Sequence, residues 1–493
     1  MSSLPQTIHE AREWLRSGQI TSVELTEAYL DRIQRLEPEL HAYLHVAEDQ
    51  ALTMARLADE RRAAGEDTPL LGVPLAIKDV ITVQGMPATA ASRILEGFVP
   101  PYEATVVRRL REQGAVFLGK ANTDEFAMGW STENSAYGVT HNPWALDRVP
   151  GGSSGGPAAA VAAGEAVAAL GTDTGGSVRQ PASWTNIVGM RPTYGRVSRY
   201  GVIAFASSLD QVGPMTRDVR DNAILLEAIA GHDPRDSTTF PDPVPPFSQM
   251  LDGGVKGLRL GLPREYVTED MHPGVRKITQ DAVAQLRDLG ATVEEVSLPH
   301  TDYGMPVYYL IATAEASANL ARYDGVRFGY SAGAADLQEN YRLTRGRGFG
   351  PEVKRRIILG AYALSAGYYD AYYLKAQKVR TLIRADFDEA FQRFDALIAP
   401  VAPIPPFRIG EAPTDPVSLY LLDVLTLPSA LAGVPAISVP AGFVEEDGAQ
   451  LPVGVQFTGQ PLDEATLFRI AYAFERATGF TSRRPSLTGD HAP

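Results

Sequence analysis

The sequence predicts a layered α/β protein, and three observations carry that prediction. Short apolar runs of strand length alternate with segments whose apolar residues recur at helical spacing. Apolar residues make up 44% and charged residues 21% of the 493 residues, an ordinary balance for a chain with a real core. Gly (45) and Pro (36) are plentiful, as many short connections require. At about 150 residues per domain, the length allows up to about three domains or one large body.

Taken in order, Thr7 with Glu10 and Thr21 with Glu24 fit the S/T-x-x-E capping box, predicting two N-terminal helices. Residues 1–65 are expected to pack as a helical segment on a main body spanning 66–480. Strand-like runs follow at 71–80, 115–120 and 166–171, with a helix over 104–113 between the first two. Five prolines within 234–246 mark either a domain linker or a long surface connection. A helix is predicted over 275–288, a strand over 292–296, and one long helical tract from about Pro351 to Phe394. ALIAP, AISVPAGF and PVGVQF predict further strands, and EATLFRIAYAFERA a last helix. The tail, 481–493, is expected to be loose.

Composition excludes several chemistries. With no cysteine there is no disulfide, thiolate metal site or Cys nucleophile. A formal charge of −14 argues against the chain as a whole binding polyanions. No apolar run reaches the ~18 residues of a membrane span. The start, MSSLPQTIHEAREW, lacks a signal pattern, so a cytoplasmic protein is expected. Gly114–Lys120 nearly spells a phosphate loop, but Ala121 replaces the hydroxyl residue and the interior is apolar strand.

Two Gly/Ser loops carry the chemistry. In PGGSSGGPAAA (150–160), Ser153 and Ser154 each sit centrally in a G-x-S-x-G frame, but the approach ends in Pro150 rather than a strand. None of the eight histidines lies in a motif-like setting; His272 and His300 read as solvent-exposed turn residues. In GTDTGGSVRQPAS (171–183), successive small residues can converge their N–H groups on an anion, with Ser177 at the end of that nest. A serine nucleophile without histidine needs another base. Lys78 ends an apolar run that begins at Leu71, and burial lowers a lysine pKa, so a Ser–Ser–Lys arrangement becomes available.

Together these residues resemble the amidase signature family: GVPLAIKD, then PGGSSGGPAAAVAAG, then LGTDTGGSVRQPAS, with a 24-residue step from Ser153 to Ser177. NTDEFAMG, GMRPTYGRVSRYG, AEASANLARYDGVRFG and LTLPSALAGVPAISVPAGF resemble one branch of it, the glutaminases that serve tRNA-dependent amidotransferases. The resemblance implies one α/β body with a large mixed sheet covered by helices on both faces. It implies Ser177 as nucleophile, Ser153 as bridging serine and Lys78 as base, with N–H groups from Thr174, Gly175, Gly176 and Ser177 as oxyanion hole. It also implies that an Arg of VKRRI (Arg356, beside Arg355) binds the α-carboxylate of glutamine, and Asp423 its α-ammonium. The interval 342–380 independently carries nine basic residues against Glu352 and Asp370.

Trp130 and the stretch Ser183-Trp184-Thr185 depart from the family pattern and are expected to change packing near the site. The resemblance further implies a heterotrimer with B and C subunits, no metal or cofactor in this chain, and ATP and Mg²⁺ in the partner. Ammonia would pass to that partner for Glu-tRNA(Gln), Asp-tRNA(Asn) or both, with tRNA met only through the complex. The competing expectations are a free-standing amidase for another small amide, and a silent scaffold. An intact Lys–Ser–Ser set argues against the scaffold.

Overall fold

The apolar runs assemble into one eleven-stranded mixed sheet, seen in a computed structural model that describes residues 4–412 and 421–487. The strands are β1 (Tyr43–Val46), β2 (Pro74–Lys78), β3 (Val116–Ala121), β4 (Ala168–Asp173), β5 (Val188–Arg191), β6 (Gln211–Thr216), β7 (Arg259–Pro263), β8 (Thr292–Val296), β9 (Ala396–Pro400), β10 (Ala436–Glu446) and β11 (Ala449–Gly459). Their order is β1-β3-β2-β4-β6-β5-β10-β11-β9-β7-β8. β2 runs parallel to both β3 and β4, and β7 parallel to β8 and β9; the remaining pairs are antiparallel. Every residue of β2, β3, β4, β5, β6 and β9 is buried, which is why β2, β3, β4 and β9 read as apolar runs; β5 and β6, which carry Arg191, Gln211 and Thr216, do not.

Three helices, α1 (Ile8–Ser17), α2 (Ser22–Leu40) and α3 (Glu48–Ala63), open the chain, and α4 (Thr105–Glu112) precedes β3. α5 (Gly155–Ala163) and α6 (Arg179–Thr185) flank β4, α7 (Val219–Ile229) follows β6, and α8 (Pro273–Asp288) joins β7 to β8. Between β8 and β9 lie α9 (Gly304–Asn319), α10 (Leu337–Gly348), α11 (Pro351–Ala363) and α12 (Lys375–Ala390); α13 (Leu427–Ala432) precedes β10 and α14 (Glu464–Thr478) follows β11. One contiguous apolar cluster runs from Ile8 in α1 to Phe474 in α14. None of the described helices is long and apolar enough to cross a membrane. Within the predicted loose tail, 488–493 lie outside the described residues.

Local signals explain most boundaries. At α2 the capping box is complete: Glu24 N–H donates to Thr21 Oγ1 at 3.1 Å and Thr21 N–H to Glu24 Oε2 at 2.8 Å. At α1 only half of it forms, because the Glu10 carboxylate takes the N–H of Gln6 instead of Thr7. The expected single tract 351–394 is broken: α11 stops at Ala363, Gly367 takes φ +85°, and a π-helical turn, Tyr369–Leu374, leads into α12. Helical periodicity continues across the break, so the pattern alone hides it. The proline-rich 234–246 segment connects β6 and β7 within one sheet, with Asp236 held by Arg199 at 2.8 Å just inside it. It is a surface connection, not a linker.

Candidate active site

Lys78 is the last residue of β2, flanked by parallel neighbours on both sides, so its side chain leaves the strand end inside the fold. It is fully buried. Its ammonium nitrogen donates to Ser153 Oγ at 2.8 Å, to Ser154 Oγ at 2.9 Å and to the Thr172 carbonyl at 3.3 Å. Burial pushes the lysine pKa down to about 7, with Asp124, Asp173 and Asp210 pulling the other way. A large neutral fraction near pH 7 is what a lysine base requires.

The first serine loop packs against the segment that follows β3. A Cβ on Gly152 would collide with the Asp124 carboxylate and with Ser131 N, so only glycine fits there. The Gly152–Ser153 peptide is cis. Gly152 N–H donates to Gln180 Oε1 at 2.9 Å, and Ser154 N–H to the Ser177 carbonyl at 3.1 Å, tying the two serine loops together. As expected from Pro150, no strand precedes these serines.

The second loop leaves the end of β4 and enters α6. Burial works against the charge of Asp173, but Arg179 and Arg191, at 3.0 and 3.2 Å, hold its carboxyl at about 2. Its Oδ2 also accepts Val178 N–H at 3.3 Å, fixing the loop's exit. Thr174 Oγ1 donates to Asp210 at 2.7 Å, and burial lifts that carboxyl to about 6. Gly176 takes φ +147° and has no room for a Cβ against Thr426. Ser177 retains 8% exposure where Ser153 and Ser154 have none, so Ser177 is the serine on the open side.

The structure separates the two candidate arginines of α11. The side chain of Arg355 is 46% exposed and that of Arg356 only 3%, both bound to Glu352. Arg356 Nε donates to Glu352 Oε1 at 2.8 Å, and its guanidinium carbon lies 5.2, 5.5 and 5.3 Å from the ring centroids of Trp130, Phe205 and Tyr309. Burial opposes its charge, but Tyr309, Glu352 and Tyr308 hold it above the ordinary arginine value. Asp423 ends a short turn before α13 and is buried; burial pushes its carboxyl up to about 8, against the pull of Arg356. Burial raises the Asp423 carboxyl while Arg356 draws it down, so the two buried charges influence each other.

Two expectations need correction. Trp130 does stack near Arg356, at 5.2 Å, but Trp184 belongs to a separate cluster with Val149 and Ala402, its ring N–H donating to the Ile404 carbonyl at 3.2 Å. His272 and His300 are not idle turn residues. His272 caps α8 through Gly274 N–H at 3.1 Å, and His300 pairs with Asp386 at 2.7 Å. Sequence reasoning assigned no role to Ser154, Asp124, Glu125, Glu352 or Tyr308. Asp124 and Glu125 stood within NTDEFAMG, three and four residues past the β3 position in register with Lys78.

With this geometry in place, comparison with known proteins is direct. The Amidase family model matches residues 24–468. The chain is 58% identical over 482 residues to the glutamyl-tRNA(Gln) amidotransferase A-subunit of Chloroflexus aggregans, covering 98% of each chain. It is 57% identical to the protein of the same name from Geobacter metallireducens, covering 98% of this chain and 99% of that one. A crystal structure of the corresponding glutamyl-tRNA(Gln) amidotransferase protein from Thermotoga maritima superposes with a TM-score of 0.78 at 45% identity, covering 95% of this chain and 94% of that one. The chain belongs to the amidase signature family of enzymes.

Proposed function

We propose that this chain is the glutaminase subunit of a tRNA-dependent amidotransferase, hydrolysing glutamine to glutamate and releasing ammonia for a partner. One observation carries the reading: a fully buried lysine, its pKa lowered by burial to about 7, lies 2.8 Å from Ser153 beside the Ser177 loop, and the Thr426 hydroxyl ties that loop, through the Gly175 carbonyl, to the turn that carries the buried Asp423. Neutral Lys78 takes a proton from Ser153 as Ser153 takes one from Ser177. Ser177 Oγ attacks the side-chain amide carbon, and N–H groups of the Thr174–Ser177 loop hold the oxyanion, each contributing ~3 kcal/mol. The proton returns through Ser153 to the leaving nitrogen, the C–N bond breaks, and ammonia departs. Water then cleaves the glutamyl ester to glutamate.

Arg356 takes the α-carboxylate and Asp423 the α-ammonium. The 58% identical relatives are named as the A subunit of a glutamyl-tRNA(Gln) amidotransferase, which supports further subunits, B and C, as partners; a cytoplasmic setting is part of the same proposal. By that likeness ATP and Mg²⁺ act in the partner, this chain needs neither, and misacylated Glu-tRNA(Gln), Asp-tRNA(Asn) or both are served there.

The test is a ratio. A charge-assisted guanidinium–carboxylate contact contributes roughly 1.5–3 kcal/mol, so Arg356→Ala should lower kcat/KM for glutamine by about ten- to a hundredfold. Propionamide, which lacks the α-groups, should be a poor substrate and lose far less. Equal losses on both amides would make Arg356 structural, and unchanged glutamine kinetics in Asp423→Ala would favour a free-standing amidase. The pH profiles supply a second check. Lysine acts deprotonated, so kcat/KM for propionamide should rise through about pH 7 and then level. For glutamine the ionised Asp423 is also needed, which should carry the rise on towards about pH 8.

A further inference from the structure

Residues 122–134 run past both halves of the site, and two consecutive carboxylates in this segment face different parts of it. Asp124 accepts N–H bonds from Thr132 at 3.0 Å and Asn134 at 3.1 Å, while its own N–H donates to the Ser153 carbonyl at 3.3 Å. Glu125 points to α11 instead. Gly350 N–H donates to both Glu125 oxygens, at 3.1 and 2.8 Å, and the Ser92 hydroxyl donates to the same carboxylate. Gly350 is the N-cap residue of α11 and has no side chain with which to cap it. Glu125 therefore caps, from 225 residues away, the helix whose second turn carries Arg356.

The following residue strengthens the link. Phe126 adopts φ +52°, and its ring lies 5.1 Å from Tyr323 and 5.7 Å from Phe349, next to Gly350. Burial lifts the Glu125 carboxyl to about 7, with Ser92, Gly350 and Lys354 drawing it down. Burying a carboxylate is costly unless hydrogen bonds offset it, and here Ser92 and Gly350 supply them.

We infer that Glu125 is a positioning residue for substrate specificity: it sets α11, and hence Arg356, in register with the Ser153 loop held by its neighbour Asp124. The inference rests on Arg356 receiving the α-carboxylate, as proposed above. Glutamine then depends on Glu125 through the placement of its α-groups, whereas an amide without those groups does not use that placement.

The experiment uses the full chain purified with its co-purifying subunits, and compares glutamine with propionamide for Glu125→Gln and Ser92→Ala. Gln keeps the shape but loses the charge facing the helix terminus. Glu125→Gln should raise KM for glutamine about three- to tenfold, with a smaller change in kcat, and lower the glutamine-over-propionamide ratio of kcat/KM by a similar factor. Ser92→Ala should move the ratio in the same direction by about twofold. If Glu125→Gln does not fold, Ser92→Ala decides alone. A folded Glu125→Gln protein with a wild-type ratio overturns the inference, and so do equal losses on both amides. If Arg356→Ala also leaves the ratio unmoved, the glutaminase reading fails with it. If Arg356→Ala collapses the ratio and Glu125→Gln does not, only the role of Glu125 falls.

Discussion

Lys78→Arg should be nearly as inactive as Lys78→Ala, each losing about 10²- to 10⁴-fold in kcat, the range a positioned general base contributes. Arginine preserves the positive charge and can donate to Ser153, so a purely electrostatic or structural role for Lys78 would survive the change. It cannot be deprotonated in a protein and so cannot serve as base. The site amplifies the difference. Lys78 is fully buried among Ser153, Ser154 and the Thr172 carbonyl, and burial is what brings its pKa down to about 7. Arginine is also bulkier, so thermal melting of both variants must accompany the kinetics. A folded Lys78→Arg enzyme retaining roughly a tenth of wild-type turnover at neutral pH would eliminate the neutral-lysine mechanism.

How much of the molecule is legible in the sequence depends on whether the cause is local. β2, β3, β4 and β9 fall on or within a few residues of the predicted intervals, because a strand buried on both faces leaves an unbroken apolar run; β8, the edge strand TVEEV, falls on its interval although only Val293 and Val296 are buried. The Lys78 and Ser153 motifs are contiguous, and the structure brings these two residues within hydrogen-bond distance. Contacts between distant segments leave no such trace. Glu125 reaches Gly350 across 225 residues, and Ser154 shares Lys78 with Ser153 through a loop geometry that the repeated G-x-S-x-G frame leaves ambiguous. The break at Gly367 is hidden because the surrounding tyrosines and basic residues keep helical spacing. Choosing Arg356 over Arg355 needs the rotation of α11 about its axis, which only packing against Trp130, Phe205 and Tyr309 reveals.

Ser177→Ala should abolish glutaminase activity and glutamine-dependent amidation, by about 10⁴-fold or more, since single removal of a triad nucleophile costs nearly as much as removal of the whole triad. Added ammonium salt should still support amidation by the assembled complex at close to the wild-type rate. The two halves of this expectation have separate physical grounds. Ser177 is the most exposed of the three serines and ends the loop whose N–H groups can hold an oxyanion, which is why the glutamyl ester is expected on its hydroxyl. Its removal deletes one oxygen at a site where the Asp173–Arg179–Arg191 cluster and the Ser154-to-Ser177 main-chain bond hold the loop independently of the hydroxyl. The fold and the faces offered to partner subunits should therefore persist, and ammonia from solution replaces what this chain no longer makes. Acid-quenched wild-type enzyme should carry a glutamyl adduct on the Ser177 peptide by mass spectrometry, and the variant none. An adduct on Ser153 or Ser154 instead would reassign the nucleophile. Loss of ammonia-supported amidation in a correctly assembled Ser177→Ala complex would show that glutamine hydrolysis and acceptor chemistry are not divided between subunits.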